Sequence, residues 1–151
     1  MSAKENEEVA LALIEALNTR ELSKWSQKLS EDYAGEYRGV PVLNKTQSLG
    51  YNRRFVIAFA DTHFEVHSVV AQGDRVFIHW TVSGTHTERL ATVTGRTIPP
   101  TRRRAKVSGV VLAEVRDGEI VREHWYWDQL SLLDQSGIME HPGLFMSSEG
   151  F

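Results

Sequence analysis

The N-terminal part of the chain carries apolar side chains at helical spacing. Between residues 4 and 18 apolar positions recur every three or four residues while glutamates occupy the other side, which predicts an amphipathic first helix. Its apolar positions are Val9, Ala10, Leu13, Ile14 and Leu17. The same spacing indicates a short second helix near residues 22–29 and a third over residues 46–60. Residues 30–41, which are rich in glycine and end in proline, are predicted to form a loop.

From His63 onward the apolar period changes from helical towards two, the pattern of half-buried strands. One pair of alternating segments flanks Gly73-Asp74, and a second pair, residues 107–115 and 119–128, flanks Asp117-Gly118. Both dipeptides favour tight turns between strands. The pattern therefore predicts two β-hairpins.

Helices that precede antiparallel strands predict an α+β fold, in a single domain over residues 1–151 with a core of about 5–137. A long curved sheet with helices packed on its concave side leaves a pocket between the two layers. The segment 88–104 between the hairpins is irregular, and a short helix is indicated after Asp128. The tail from residue 138 has no periodicity and is expected to be coil.

Composition and charge exclude several functional classes. The 151 residues include 17 Lys and Arg against 20 Asp and Glu, a formal charge of −3, which argues against binding to nucleic acid or to an anionic membrane. There is no cysteine, so disulfides, thiolate nucleophiles and iron–sulfur clusters are ruled out. The start of the chain is polar, and no segment approaches the ~20 apolar residues of a membrane span. We therefore expect a soluble, cytoplasmic protein.

Metal and phosphate sites find little support in the sequence. It contains no phosphate-binding glycine loop, no nucleophile elbow and no His-Glu-x-x-His helix. His63 and His67 are four residues apart, which on a strand is about 13 Å and too far to share an ion. The basic residues at 102–106 either bind a phosphate or acidic ligand or protect a solvated sheet edge. We expect no metal site.

The densest chemical signal is the segment 122–128, Arg-Glu-His-Trp-Tyr-Trp-Asp, on the last predicted strand. Alternation places His124, Tyr126 and Asp128 on one face. If this face is the concave one, an imidazole, a phenol and a carboxylate converge on the pocket, and loss of hydration raises the pKa of the carboxyl group.

Two other interpretations of this segment stay open. Asp128 is equally suited to cap the helix that begins near Gln129. The opposite face carries Glu123, Trp125 and Trp127, and its two tryptophans are expected to pack in the core or in an interface.

Four segments, in order, resemble the SnoaL-like polyketide cyclases, members of the nuclear transport factor 2-like superfamily. Residues 118–130, followed by Leu-Leu and Gln at 132, 133 and 135, are similar to the C-terminal signature of that family. Residues 59–64 resemble its Phe-Pro-Asp-x-His-Phe segment, residues 84–87 its Gly-Thr-His-x-Gly turn, and residues 98–101 its Ile-Pro-Pro-Thr segment. The resemblance implies a cone-shaped α+β fold and a homodimer or homotetramer. It also implies a cyclase that needs neither metal nor cofactor.

The resemblance also implies site residues. Asp128 matches the acid/base Asp of the Trp-x-x-Asp motif that starts at Trp125, and Tyr37 and Asn52 fall near pocket-lining positions. Many relatives carry a histidine near residues 110–112, where this chain has none.

Other side chains complete the set of expected site residues. His86 or His124 is the expected substitute for the missing histidine. Tyr126, His63 and Trp80 are further candidates for contacts with a small, hydrophobic, polyketide-like substrate.

These residues suggest an intramolecular aldol condensation. Asp128 would remove a proton between two carbonyls, and would return it to the alkoxide after ring closure. Alternatives on the same fold are an epoxide hydrolase, which would draw on Asp32, Asp61, Arg53 or Arg122, an isomerase or dehydratase, and a non-catalytic binding module.

Overall fold

The computed structural model describes residues 2–91 and 95–137. Three short helices open the chain, α1 (Ala3–Ala10), α2 (Ala12–Thr19) and α3 (Leu22–Ser26). The remaining elements, in chain order, are β1 (Leu29–Glu36), α4 (Lys45–Ala58), β2 (His63–Gln72), β3 (Arg75–Thr85), β4 (Leu90–Ala91), β5 (Thr97–Ile98), β6 (Arg104–Arg116), β7 (Glu119–Trp127) and α5 (Gln129–Gln135).

A curved five-stranded sheet in the order β1-β7-β6-β3-β2 carries the helices on its concave side. The pairs β2/β3, β3/β6 and β6/β7 are antiparallel, whereas β1 runs parallel to β7. The strands β4 and β5 form a separate small sheet. The predicted α+β class is confirmed, although the sheet is mixed rather than wholly antiparallel.

Most of the locally encoded elements lie where the sequence predicts them. The two long hairpins form, and Asp117 and Gly118 have the positive φ angles, 51° and 80°, that their turn requires. The helix predicted over 4–18 is interrupted at Leu11. Helical hydrogen bonds nevertheless continue across this residue, because the Leu11 N–H donates to the Glu7 carbonyl and the Glu15 N–H donates to the Leu11 carbonyl. The segment 88–104 contributes the small β4/β5 pair, and the predicted coil from residue 138 lies outside the described residues.

The predicted loop over 30–41 is confirmed for residues 37–41 and wrong for residues 30–36, because Leu29–Glu36 form β1. This segment contains no β-branched residue, so its own preference for strand is weak. Its conformation comes instead from pairing with β7, in which Gly35 lies beside Glu123. The structure of this segment therefore depends on β7, which lies some ninety residues away in sequence. Local sequence patterns cannot reveal a partner at that distance.

Gly35 allows three side chains to meet over the centre of β1. A Cβ atom at this position would lie 2.6 Å from Oγ of Ser48, 2.8 Å from the Tyr37 ring and 2.9 Å from Oη of Tyr33. The absent side chain thus lets α4 and both tyrosine rings approach the strand.

Replacing Gly35 with Ala is expected to destabilise the protein by about 1–3 kcal/mol, because the added methyl group overpacks this contact. Gly50→Ala is the matched control, since a Cβ atom there meets nothing within 4 Å and the residue lies inside α4. The control should gain about 0.5–1 kcal/mol from helix propensity. Urea unfolding measures both, and a Gly35→Ala variant as stable as the wild type would contradict the packing argument.

Candidate functional site

A pocket of about 100 Å³ with an open mouth lies between the helices and the concave face of the sheet. Its position between two layers and its apolar lining are typical of sites for small organic molecules. The lining is mainly apolar and aromatic, and comprises Leu17, Tyr51, Phe55, Val56, Phe59, Phe64, Trp80, Val82, Gly84, Ala105, Val107, Trp125, Trp127 and Leu132, with the polar residues Tyr37, Asn52, Thr62 and Ser83. None of these lining residues, all within the described part of the chain, is Asp, Glu, Lys or Arg. The pocket therefore favours a neutral, largely apolar ligand.

Aromatic rings form much of the sheet side of the pocket. The ring centroids of Phe64 and Trp80 are 5.1 Å apart at an angle of 66°, and those of Trp80 and Trp125 are 5.7 Å apart. Such edge and tilted contacts hold the rings in place and present flat apolar faces to a ligand. A planar or conjugated molecule matches this surface.

Tyr37 and Asn52 place two hydrogen-bonding groups in this apolar surface. Tyr37 directly follows β1, and Asn52 lies on α4, whose start at Asn44 is fixed by a reciprocal capping box with Gln47. The Asn52 amide Nδ2 donates to Tyr37 Oη at 3.0 Å and to the Ser48 carbonyl at 2.9 Å. Burial raises the pKa of Tyr37 to about 12, so its phenol stays protonated. The Asn52 amide thus uses both of its N–H groups to hold Tyr37 and α4 in place, and the Tyr37 phenol is the group suited to meet an oxygen atom of a ligand.

Behind this pair lies Glu123, whose side chain is fully buried. Its Oε1 is 2.7 Å from Tyr33 Oη, while Oε2 has no hydrogen-bond partner among the described residues. Burial raises the pKa of Glu123 to about 7, and the hydrogen bond with Tyr33 and the indoles of Trp25 and Trp125 limit the rise. Both protonation states of this carboxyl group are thus accessible near neutral pH.

A chain of hydroxyl groups joins Glu123 to the pocket. Tyr33 Oη is 3.4 Å from Tyr37 Oη, and Tyr37 lines the pocket. The distance exceeds the usual 2.7–2.8 Å of an O–H···O bond, so this link is the loosest in the chain. Burial and the charge of Glu123 raise the pKa of Tyr33 well above its usual value.

Three of the residues predicted to form the site do line the pocket: Tyr37, Asn52 and Trp80. Asp128 does not, because it is exposed and its Oδ1 accepts a hydrogen bond of 2.9 Å from the backbone N–H of Ser131. It is the N-cap of α5, as in the alternative interpretation of the sequence. The expectation that its carboxylate faces a water-poor pocket is wrong.

The expected orientation of β7 is also wrong, although the grouping of its residues is right. Glu123, Trp125 and Trp127 face inward, while His124 and Tyr126 lie on the outer face of the sheet. Val115 pairs with Ile120 and Glu114 with Arg122, so Val121 is the extra residue of a β-bulge. The bulge reverses the alternation: Ile120 is buried, yet the inward positions that follow are 123, 125 and 127.

On the outer face, His124 and Tyr126 make contacts of their own. His124 Nδ1 is 2.8 Å from Oε2 of Glu36, and the Arg38 guanidinium lies 4.3 Å from the centroid of the 43% exposed Tyr126 ring. Neither residue belongs to the described lining of the pocket. The predicted roles of His124 in catalysis and of Tyr126 in substrate contact are therefore not supported by their positions.

The two remaining histidine candidates also lie off the described pocket lining. His63 is exposed at the start of β2, between the lining residues Thr62 and Phe64. His86 is fully buried and stacks on Phe59, with the Thr101 backbone N–H donating to its Nδ1 at 3.3 Å. Burial lowers the pKa of His86, which keeps the imidazole neutral. It supports the pocket wall from behind.

Glu123 and Tyr33 are the residues that sequence reasoning missed. The available signal was a glutamate two positions before a core tryptophan, with Tyr33 and Tyr37 four residues apart on a segment interpreted as loop. Recognising β1 as a strand would have placed both tyrosines on one face.

The described residues offer neither a metal site nor a membrane-spanning helix. Residues 2–91 and 95–137 contain no cluster of three or more His, Asp or Glu side chains that could hold a metal ion. No helix in that part of the chain combines the length and apolar character needed to cross a membrane.

Known proteins match this chain in both sequence and fold. The sequence profile of the SnoaL-like polyketide cyclases matches residues 7–136. No match was found among curated proteins. AclR from Streptomyces galilaeus, a proposed hydroxylase, superposes with a TM-score of 0.76 at 26% identity, over 91% of this chain and 98% of that one.

Two further solved structures have the same fold. A proposed SnoaL-like polyketide cyclase from Jannaschia sp. CCS1 gives a TM-score of 0.78 at 17% identity, over 89% of this chain and 92% of that one. IdmH from Streptomyces antibioticus, a proposed polyketide cyclase, gives 0.71 at 24% identity, over 87% and 98%. Proteins with a ketosteroid isomerase-like fold also match. The predicted cone-shaped fold is confirmed.

Glu123→Gln is expected to change how stability depends on pH. The pKa of Glu123 is raised from 4.5 to about 7 by folding, so its contribution to stability is complete below about pH 4.5 and is lost as the pH rises through 7. The difference corresponds to about 3 kcal/mol. Relative to the variant, the wild type should lose this amount between those pH values, measured by urea unfolding. Glu119→Gln, an exposed glutamate on the same strand, should track the wild type; equal pH profiles for all three would contradict the assignment.

Asp128→Ala is expected to lower the free energy of unfolding by about 1 kcal/mol, because it removes the cap of α5. Asp128→Asn should lie close to the wild type, since asparagine caps equally well. Thermal or urea unfolding of the two variants distinguishes a cap from a residue with no structural role, for which both would behave alike.

Proposed function

We propose, because the chain belongs to the SnoaL-like polyketide cyclase family, that it is an enzyme which closes a ring in a polyketide-like substrate by an intramolecular aldol reaction. The observation that carries the proposal is the Tyr37–Asn52 pair, two hydrogen-bonding groups in an otherwise mainly apolar pocket. The Tyr37 phenol, held in place by Asn52, is suited to hydrogen-bond the oxygen of a substrate and to stabilise the enolate formed there.

The pocket lining supports a neutral, conjugated substrate. The aromatic faces of Phe64, Trp80 and Trp125 favour a conjugated chain, and charged side chains are absent from the described lining. A poly-β-ketone is flexible in water, so a pocket that holds it folded brings the reacting carbons into contact. Holding the two ends in this arrangement supplies a large share of the rate enhancement.

The reaction needs an enolate and an acceptor carbonyl. Tyr37, positioned by Asn52, hydrogen-bonds the oxygen of a β-dicarbonyl unit, which gives up one proton to form the enolate. The enolate carbon attacks a second carbonyl carbon, and the resulting alkoxide takes one proton back, so the product has the composition of the substrate. The Tyr37 hydroxyl stabilises negative charge in a mainly apolar site, where such a hydrogen bond is stronger than in bulk solvent. Asp128 has no part in this scheme, because its carboxylate is exposed and caps α5.

Other reactions on this fold fit the pocket less well. An isomerase would use the same enolisation and the same pair of residues. An epoxide hydrolase needs a carboxylate beside the reacting water, and of its candidates Asp32 and Arg53 are exposed while Asp61 accepts hydrogen bonds from Thr85. As expected from the sequence, we also propose that the protein is cytoplasmic and forms a homodimer or homotetramer.

An aryl-capped 1,3,5,7-tetraketone tests the proposal, because attack of its second carbon on the seventh closes a six-membered ring. The wild-type protein should accelerate ring closure, followed by absorbance of the product, and Tyr37→Phe should lower kcat/KM by about 10²-fold through loss of one oxyanion donor. Asn52→Leu should act in the same direction.

The controls are Asp128→Asn, which keeps the helix cap, and Glu119→Gln, which changes the exposed first residue of β7. Both should retain the wild-type rate. Quenching of tryptophan fluorescence reports whether the tetraketone occupies the pocket. A bound tetraketone that closes no faster than in buffer would overturn the cyclase assignment, and failure to bind would overturn the substrate class.

A further inference from the structure

Glu123 is a buried carboxyl group to which the proposed ring closure assigns no role. Its side chain is 0% exposed, and only Oε1 has a hydrogen-bonding partner within the described residues, namely Tyr33. Burying an ionised carboxylate with one oxygen unsatisfied costs several kcal/mol, and a glutamine of the same shape would avoid most of that cost. The position therefore calls for an explanation other than stability.

The groups that face Glu123 leave its protonation state open. Among the described residues, Tyr33 on β1 and Tyr37 immediately after that strand are the titratable groups that interact with Glu123. Trp25 from α3 and Trp125 from β7 contribute neutral indoles. Its neighbours across the sheet, Gly35 and Ala113, have no polar side chain. Thus no Lys or Arg from these packed elements holds the carboxyl group in its ionised form.

The hydroxyl chain has a direction that depends on Glu123. When Glu123 is a carboxylate, Tyr33 donates to it and can accept from Tyr37, so Tyr37 is able to accept from a ligand while it donates to Tyr33. When Glu123 is protonated, it donates to Tyr33, Tyr33 donates to Tyr37, and the Tyr37 hydroxyl is free to donate into the pocket. The Asn52 amide donates to Tyr37 Oη in both cases. Each phenol carries one proton, which is why the two arrangements exclude each other.

We infer that Glu123 accepts the proton of the bound enol and returns it to the new alkoxide, acting through Tyr33 and Tyr37. This inference rests on the proposed function. A β-dicarbonyl unit is readily enolised, and its enol O–H donates to Tyr37 Oη when Glu123 is a carboxylate. The enol proton moves to Tyr37, the Tyr37 proton to Tyr33 and the Tyr33 proton to Oε1 of Glu123. Each tyrosine gains one proton and loses one.

Ring closure then reverses the chain. The enolate carbon forms a bond to the acceptor carbonyl carbon, and the π electrons of that carbonyl move to its oxygen. The resulting alkoxide takes a proton from Tyr37, Tyr37 takes one from Tyr33, and Tyr33 takes one from Glu123. The carboxylate is regenerated, and the product has the composition of the substrate. The 3.4 Å separation of the two phenol oxygens is the link that must shorten when the substrate binds.

The acidity of Glu123 suits this role. Burial raises its pKa to about 7, close to neutral pH, where a group exchanges protons most effectively in both directions. Burial also keeps the pKa of both tyrosines high, so the phenols pass protons on without remaining ionised.

Kinetics of Glu123→Gln and Tyr33→Phe test the inference with the tetraketone. For the wild type, kcat/KM should rise with pH and level off above about 7, because the carboxylate is the active form. Both variants should lose about 10²-fold or more in kcat and lack this step in the pH profile. Glu119→Gln should keep the wild-type rate and profile.

Binding of 4-nitrophenol supplies a readout that a merely structural role would not change. Its ionised form absorbs visible light, so the bound protonation state is measured directly. At a pH above 7 the wild type, with Tyr37 accepting, should bind the neutral phenol. Glu123→Gln presents an amide N–H to Tyr33, which mimics the protonated acid, turns Tyr37 into a donor and favours the bound phenolate. Binding also shows that the variants are folded.

The outcomes separate the relay from the proposed function. If Tyr37→Phe is slow while Glu123→Gln and Tyr33→Phe keep the wild-type rate and pH profile, the relay is overturned and the ring-closing function stands. If the bound spectrum of 4-nitrophenol is the same in the wild type and Glu123→Gln, control of Tyr37 by Glu123 is overturned. Slow variants, a lost pH step and a changed spectrum together support the relay.

Discussion

The parallel pairing of β1 with β7 is the constraint on which the rest of the site depends. It brings a strand with little intrinsic strand preference alongside the most chemically dense segment of the chain, with Gly35 beside Glu123. Tyr33 and Tyr37 both approach that glycine, so Tyr33 hydrogen-bonds the buried carboxyl group and Tyr37 lies next to Tyr33. Without this pairing Glu123 would be an ordinary glutamate on the edge strand of a sheet.

The proposed relay gives a reason why an energetically unfavourable group is retained in this protein interior. Packing around Trp25, Trp125 and the two tyrosines removes water from Glu123, and the same desolvation moves its pKa to about 7. Desolvation of Glu123 therefore lowers the stability of the folded protein and, in the proposed relay, makes the carboxyl group more reactive. Proteins commonly tolerate such local destabilisation where an active site requires it.

Sequence reasoning succeeded where structure is encoded locally and failed where it depends on distant partners. Apolar periodicity and the Asp117-Gly118 turn are properties of neighbouring residues, and the helices and hairpins they predict are present. Tyr37 and Asn52 were found only through resemblance to a family, because nothing in their own neighbourhoods marks them. The inward face of β7 was misjudged because a single unpaired residue, Val121, shifts the alternation.

That unpaired residue has a consequence for how such a scaffold changes during evolution. Adding or removing one residue near the β6–β7 hairpin would exchange the inner and outer side chains of the following strand in one step, without a substitution at any of those positions. The chain would then present an imidazole and a phenol where it now presents a carboxyl group and two indoles. The gain or loss of one unpaired strand residue is in this way a route to new chemistry in an unchanged framework.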